Sequence, residues 1–81
     1  MRPDDAVLTR RVRSEIIRRE LDTTKLEVKV IHGVAYLAGE LRPTRAQRIS
    51  DPKREMEIIE NIIYGISGVR AIDNRIKWVR A

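Results

Sequence analysis

The stretch from Leu26 to Leu41 constrains the fold more than any other part of this chain. It holds two runs in which apolar residues alternate with other residues, and the dipeptide His32-Gly33 separates them. Period-two alternation around a two-residue break that contains glycine predicts a β-hairpin. Gly33 accepts a positive φ, and His32 tolerates one better than most residues do.

The two-residue loop also predicts the register of this hairpin. The expected cross-strand pairs are Ile31 with Val34, Lys29 with Tyr36, and Val28 with Leu37. One face of the hairpin then becomes apolar and buried, and its members are Leu26, Val28, Val30, Ala35 and Leu37.

A helix is predicted before the hairpin, over about 6–20. Leu8, Val12 and Ile16 recur every four residues, which places them in one stripe on a helix. Acidic residues precede the stripe, and they favour a helix N-terminus. Polar residues that compete for backbone hydrogen bonds follow, so we expect the helix to end there.

A second helix and a third strand are predicted after the hairpin. Asp51-Pro52 is a helix start signal, and the apolar spacing that follows it predicts a helix over about 53–66. Residues 69–79 alternate imperfectly and predict a strand, in which Trp78 faces the core. Between hairpin and second helix lies a basic linker over about 42–52, where Thr44 and Gln47 have capping-box spacing.

This order predicts an α/β (α+β) fold, as a single αββαβ domain over 1–81. Two helices on one face of a three-stranded mixed sheet would bury most of the apolar surface. The crossover through the second helix makes the third strand parallel to the second. A chain of 81 residues leaves room for one modest core.

Composition excludes several classes of site. The chain has no cysteine and one histidine, so disulfides, thiolate metal sites and the usual zinc sites are excluded. We expect no cofactor. No apolar run approaches the roughly 18 residues of a membrane span.

The N-terminal stretch has no apolar core of a signal peptide. If Met1 is the native start, we expect a cytoplasmic protein. If a signal peptide precedes the sequence in a longer precursor, we expect a periplasmic one.

Three pieces of the chain, in their order and spacing, resemble the BON domain family. The family pattern has a strand, Asn-Gly or Asp-Gly, then Val-x-Leu-x-Gly, and later Gly-Val-x-x-Val-x-Asn-x-Leu. The matching residues here are His32-Gly33, Val34, Leu37, Gly39, Gly68-Val69, Ile72, Asn74 and Ile76. Histidine replaces the commoner turn residue, and the linker over about 42–52 is longer than the family pattern.

The resemblance implies a non-enzymatic adaptor that binds phospholipid membranes or other proteins. Net charge agrees with an anionic partner, because the formal charge is +5 and most of the basic residues are arginines. We therefore expect a non-catalytic binding module for an anionic phospholipid surface or a protein partner. Nucleic-acid binding through the basic linker and the first helix is the alternative.

Two basic regions are candidate binding sites for such a partner. Functional residues concentrate on loops, so the linker is the first candidate. Its residues are Arg42, Arg45, Arg48, Lys53 and Arg54. On the first helix, Arg10, Arg11 and Arg18 lie opposite the apolar stripe, mixed with Val7, Ile17 and Leu21. Such a mixture suits a membrane interface or a partner helix; the alternative is that Ile17 and Leu21 fold under the neighbouring loop as a satellite core.

The remaining polar residues predict structural roles and no catalysis. His32 lies in a tight turn without an acidic neighbour, and nucleophilic catalysis needs a positioned base. Glu55, Glu57 and Glu60 are expected on the solvated side of the second helix. Asn74 faces inward on a strand and must find hydrogen-bond partners there. Structural roles are also expected for His32, Gly33, Gly39 and Gly68.

Overall fold

A computed structural model describes residues 4–79 of the chain. It shows an α+β fold, as the sequence predicts. The elements in order are α1 (Asp5–Ile17), β1 (Leu26–Ile31), β2 (Val34–Leu41), α2 (Pro52–Tyr64), β3 (Ala71–Asn74) and β4 (Lys77–Trp78).

The hairpin formed by β1 and β2 confirms the predicted register. Ile31 pairs with Val34, and Val28 pairs with Leu37, in an antiparallel ladder that runs to Gly39. The turn residues both adopt positive φ, at 50° for His32 and 81° for Gly33. The position of the glycine therefore determines which side chains of the hairpin face the core.

One hydrophobic core lies between the inner face of the sheet and the two helices. The helices supply buried residues on their predicted stripes, and β1 and β2 supply the other side. Its fully buried large side chains are Leu8, Val12, Ile16, Val30, Leu37, Leu41, Ile59 and Ile63. Trp78 packs half-buried against this core, as predicted.

The first helix is shorter than predicted. It begins at Asp5, where the carboxylate of Asp4 accepts a hydrogen bond from the Val7 N–H at 2.9 Å. It ends at Ile17, and a turn carries the chain to Glu20, whose φ is +61°. The N–H groups of Arg19 and Glu20 bond three residues back, each at 3.0 Å, and the left-handed Glu20 then ends the helical path.

The predicted third strand is two strands, so the sheet has four. Both β3 and β4 pair in parallel with β2, along its first and its last residues respectively. They are separated where the side-chain oxygen of Asn74 accepts a hydrogen bond from the Ile76 N–H at 3.0 Å. A side chain takes the place of a ladder partner there, which explains the imperfect alternation.

The linker contains no helix or strand between Leu41 and Pro52 apart from one bridge of Arg42 to Asp22. The Thr44 hydroxyl accepts from the Gln47 N–H at 3.1 Å, but the turn does not continue as a helix. The second helix begins at Pro52 and ends at Tyr64, two residues before the predicted end.

Candidate functional site

The outer face of α1, opposite the core stripe, is basic and partly apolar. Its aliphatic residues are Val7, which is 42% exposed, and Ile17, which is 50% exposed. Four arginines surround them and are exposed: Arg10, Arg11, Arg13 and Arg18. Helical periodicity places these residues on the side of α1 that faces away from the buried stripe. We call this surface the α1 outer face.

Most of the charge on this face has no acidic partner. Within residues 4–79, Arg10, Arg11 and Arg13 form no ion pair, whereas Arg18 lies 3.4 Å from Glu15. That pair is exposed, and such pairs add little stability. The arginines are therefore available to an anionic partner. Arg13 was not among the residues selected from the sequence; it lies at the border of this face, where it also lines a groove with Lys29 and Tyr36.

The structure decides between the two interpretations of the aliphatic residues near this face. Leu21 is 7% exposed and belongs to the core, which agrees with the interpretation that it packs under the neighbouring loop. Ile17 is half exposed instead, so it lies on the outer face with the arginines. The periodicity gave the direction of Ile17 but not what covers it.

The linker separates its arginines into two kinds. Arg42 lies 3.3 Å from Glu40, which partly neutralises its charge, and a backbone bridge to Asp22 holds it in place. Arg45 and Arg48 are exposed and form no ion pair within the described residues. They line an open groove of about 440 Å³ with Pro43, Thr44 and Ile49.

The linker is attached to the C-terminal end of α1. The Thr44 hydroxyl donates to the carbonyl oxygen of Glu20 at 2.7 Å, just beyond the helix. Lys53 and Arg54 follow as exposed residues of the first turn of α2, where the Asp51 carboxylate accepts from the Arg54 N–H at 3.2 Å. The linker therefore lies beside the C-terminal end of α1, where Arg18 is, whereas Arg10 and Arg11 lie about two turns earlier on the helix.

A half-buried ion pair joins the turn after α1 to α2 at this same end. Glu55 is 5% exposed, and its two oxygens accept from Nε and an Nη of Arg19, each at 2.7 Å. These bonds raise the pKa of the Arg19 guanidinium above its ordinary value. The expectation that Glu55 is solvated is therefore wrong: it faces the turn that follows α1. The spacing of Glu55 with Ile59 and Ile62 indicates that this carboxylate is buried, but no sequence signal identifies Arg19 as its partner, because the two are 36 positions apart.

Glu57 and Glu60 behave differently from Glu55 on the same helix. Glu57 is exposed, as expected. Glu60 is half-buried and accepts a hydrogen bond from the Asn74 amide at 3.1 Å. Asn74 thereby contacts both α2 and the break between β3 and β4, and its polar atoms serve the fold.

The residues of the hairpin turn, His32 and Gly33, also have structural contacts. The His32 N–H donates to Asp5 at 3.2 Å, and its carbonyl oxygen accepts from Arg70 Nε at 2.8 Å. A Cβ on Gly33 would lie 2.9 Å from the Gly68 carbonyl oxygen. Close backbone approach thus links the hairpin turn to the loop before β3.

Residues 4–79 hold no helix that is both long and apolar enough to cross a membrane. In the same range no three acidic, histidine or cysteine side chains come together as a metal site.

The comparisons with known proteins agree with this architecture. The family model described as the BON domain matches residues 4–80. No curated protein matches the sequence. The fold is similar to that of CdsD, a structural protein of the type III secretion system of Chlamydia trachomatis, with a TM-score of 0.69 and 16% identity. The match covers 95% of this chain and 32% of that one, so this chain spans about a third of that protein's length.

Proposed function

The chain belongs to the BON domain family, and from this membership we propose a non-catalytic module that binds an anionic phospholipid surface through the α1 outer face. The observation that carries the proposal is the composition of that face. It presents four exposed arginines around two half-exposed aliphatic residues, Val7 and Ile17. Interfacial helices have this combination, because the aliphatic groups enter the headgroup region while arginine binds phosphate.

The magnitude of the interaction fits a reversible contact. A basic residue near an anionic leaflet contributes about 1 kcal/mol, so four arginines supply about 4 kcal/mol, which alone corresponds to a Kd of about 1 mM. The two aliphatic residues and the exposed linker arginines, Arg45 and Arg48, add to this value. Salt weakens the electrostatic part, because exposed charges are screened over about 10 Å at 0.1 M.

Three pairs of charge reversals with equal change in net charge test this assignment. The first pair is Arg10→Glu with Arg11→Glu, on the α1 outer face. The second is Arg45→Glu with Arg48→Glu, in the linker. The control is Lys25→Glu with Lys77→Glu, two exposed lysines outside both regions.

Each variant is sedimented with vesicles of equal parts phosphatidylglycerol and phosphatidylcholine, and with vesicles of phosphatidylcholine alone. We expect the wild type and the control to bind the anionic vesicles only, and less at high salt. The α1 pair should abolish binding, and the linker pair should weaken it. Equal loss in all three variants would mean that net charge alone drives binding, which contradicts a defined surface.

Failure of the wild type to bind anionic vesicles at low salt would instead favour a protein partner. Duplex binding that weakens log-linearly with salt, without vesicle binding, would favour the nucleic-acid alternative. Against that alternative, Tyr36 is the sole aromatic residue that projects from the outer side of β1, β2 and β3, and base-stacking sheets use several.

A further inference from the structure

The face of the sheet that both helices leave uncovered carries an apolar centre. Side chains alternate along strands, so the residues between the buried ones of β1 and β2 face away from the core. Ile31 is 38% exposed and Tyr36 is 42% exposed on this side. Val34, Ala38 and Ala71 share this side with them. We call this surface the open face.

Two rows of paired residues cross the open face, and each ends in opposite charges. In the first row, Tyr36 pairs with Lys29 on one side and with Asp73 on the other. In the second, Ala38 pairs with Glu27, and Arg75 lies on the other side, where its N–H donates to the Leu37 carbonyl oxygen at 2.7 Å.

The side chain of Arg75 belongs to the same face. Its Nε lies 3.2 Å from an oxygen of Asp73, two residues earlier, so both project to one side of the sheet. The four charges of the two rows cancel, and Glu40 and Lys77, which pair at the end of β2, add one charge of each sign. The strands therefore present a neutral open face, although the whole chain carries +5.

The charges of these two rows are complementary to themselves. We propose that the open face docks on the open face of a second copy, around a two-fold axis parallel to β2. Such an axis turns each row end for end, which sets Lys29 of one copy opposite Asp73 of the other. It likewise sets Glu27 opposite Arg75, and Tyr36 beside its own counterpart.

The apolar row of Ile31, Val34 and Ala71 selects this axis over the perpendicular one. The parallel axis sets that row against itself. A two-fold axis perpendicular to the strands, between the two charged rows, also pairs opposite charges. It would, however, place the row of Val34 in one copy against Glu40 and Lys77 of the other. An apolar row would then face two charged side chains and lose its burial. The parallel axis instead sets Glu40 against its own counterpart, where its ion pair with Arg42 at 3.3 Å offsets part of the charge.

The size of the open face predicts a weak dimer. Three strands about 4.8 Å apart and eight residues of β2 at about 3.4 Å each give a footprint of about 400 Å² per copy. Stable interfaces bury about 800 Å² per partner, so this one belongs to the small, transient class. A groove of about 460 Å³ beside Tyr36, bordered by Glu27 and Lys29 and by Arg13 of α1, leaves room for the partner's ring.

The decisive test uses two variants that each place like charges together. In Lys29→Asp, two carboxylates meet at each contact of the dimer; in Asp73→Lys, two ammonium groups meet there. Like charges placed opposite each other oppose association, so each variant alone should raise the dimer Kd by at least about tenfold. An equimolar mixture should associate nearly as the wild type does, because each mutated residue then faces its opposite charge.

The measurement is sedimentation equilibrium from about 10 μM to about 1 mM at low salt, a range chosen for weak interfaces. Matched controls carry the same charge changes on α2, as Lys53→Asp and Glu57→Lys, and should leave the dimer Kd unchanged. Circular dichroism shows that each variant is folded.

A wild type that stays monomeric throughout this range overturns the proposal. So does a mixture that fails to restore association. Tyr36→Ala gives an independent readout: it should weaken the dimer, while Tyr64→Ala, at the other exposed tyrosine, should not. An equal effect of both changes overturns the assignment of the face.

Discussion

The β1–β2 hairpin and the junction where α1 ends and α2 begins are held by different contacts. In the hairpin, neighbouring strands pair through backbone and bury alternate side chains, and a glycine fixes the turn. At the junction, side chains far apart in the sequence meet, as Arg19 meets Glu55 and Thr44 meets the backbone of Glu20. A local pattern therefore specifies the hairpin, whereas the junction depends on individual polar pairs.

The largest effect expected in this comparison belongs to Gly39, at the hairpin's far end. Its φ is +89°, and a Cβ there would overlap the carbonyl oxygen of Lys25. Because a backbone atom cannot move aside as a side chain can, Gly39→Ala should cost at least about 3 kcal/mol of unfolding free energy. Urea unfolding measures this value.

Gly65→Ala is the matched control for that substitution. Gly65 caps α2 with a φ of −75°, which alanine adopts without strain. We expect a change of less than about 1 kcal/mol. If both substitutions lowered the unfolding free energy by similar amounts, the positive φ of Gly39 would not explain why glycine is needed there.

A smaller effect is expected at the junction. Glu55→Ala leaves the Arg19 guanidinium without its two short hydrogen bonds. Loss of one partner of a buried pair costs 3–5 kcal/mol, but the Arg19 side chain is 28% exposed and regains some water, so we expect about 2 kcal/mol. The same urea titration checks it.

The exposed Glu57 provides the comparison on the same helix. Glu57→Ala should change the unfolding free energy by less than about 0.5 kcal/mol. A double-mutant cycle of Arg19→Ala and Glu55→Ala should also show coupling, because each side chain binds the other. Additive effects would mean that the pair does not join the helices energetically.

The smallest effect is a pH dependence at Asp22, between the junction and the hairpin. The Thr24 N–H, and then its hydroxyl, donate to one Asp22 oxygen and lower the pKa of this carboxyl. A lowered pKa in the folded state adds stability above the unfolded value of about 3.9, and this stability is lost as the pH falls through the folded value. The acid loss of stability should therefore be smaller in Asp22→Asn.

Urea midpoints at neutral and at acidic pH measure that difference. Glu57→Gln, at an exposed carboxyl, is the control and should retain the acid dependence of the wild type. If Asp22→Asn loses as much stability in acid as the wild type does, the hydrogen bonds from Thr24 carry no net preference for the ionised carboxylate.

The sequence predicts the hairpin and the core stripes because a period of two or of four residues reports directly which side chains share a face. It predicts the register from one glycine-containing turn. It fails at Glu55: the helical period places that residue in one stripe with Ile59 and Ile62, but a carboxylate is expected in solvent, and the period says nothing about the turn packed against it. The sequence also does not predict that the last strand is split into β3 and β4, since the split depends on the hydrogen bond between the Asn74 side chain and the Ile76 N–H.

The candidate site shows the same limit. The helical wheel of α1 identifies its outer arginines, but only the packed structure shows that Ile17 is exposed while Leu21 is buried. In the linker, the sequence lists three equivalent arginines, and the fold engages Arg42 with Glu40 while leaving Arg45 and Arg48 exposed. Exposure and pairing depend on neighbours that no local spacing reports.

The central position of β2 limits where this chain can change length. All three other strands pair with β2, and its residues alternate between the core and the open face. An inserted or deleted residue within it would exchange the two faces and misalign three partners at once. The linker between Leu41 and Pro52 keeps no such register, so evolution can lengthen it without disturbing the sheet.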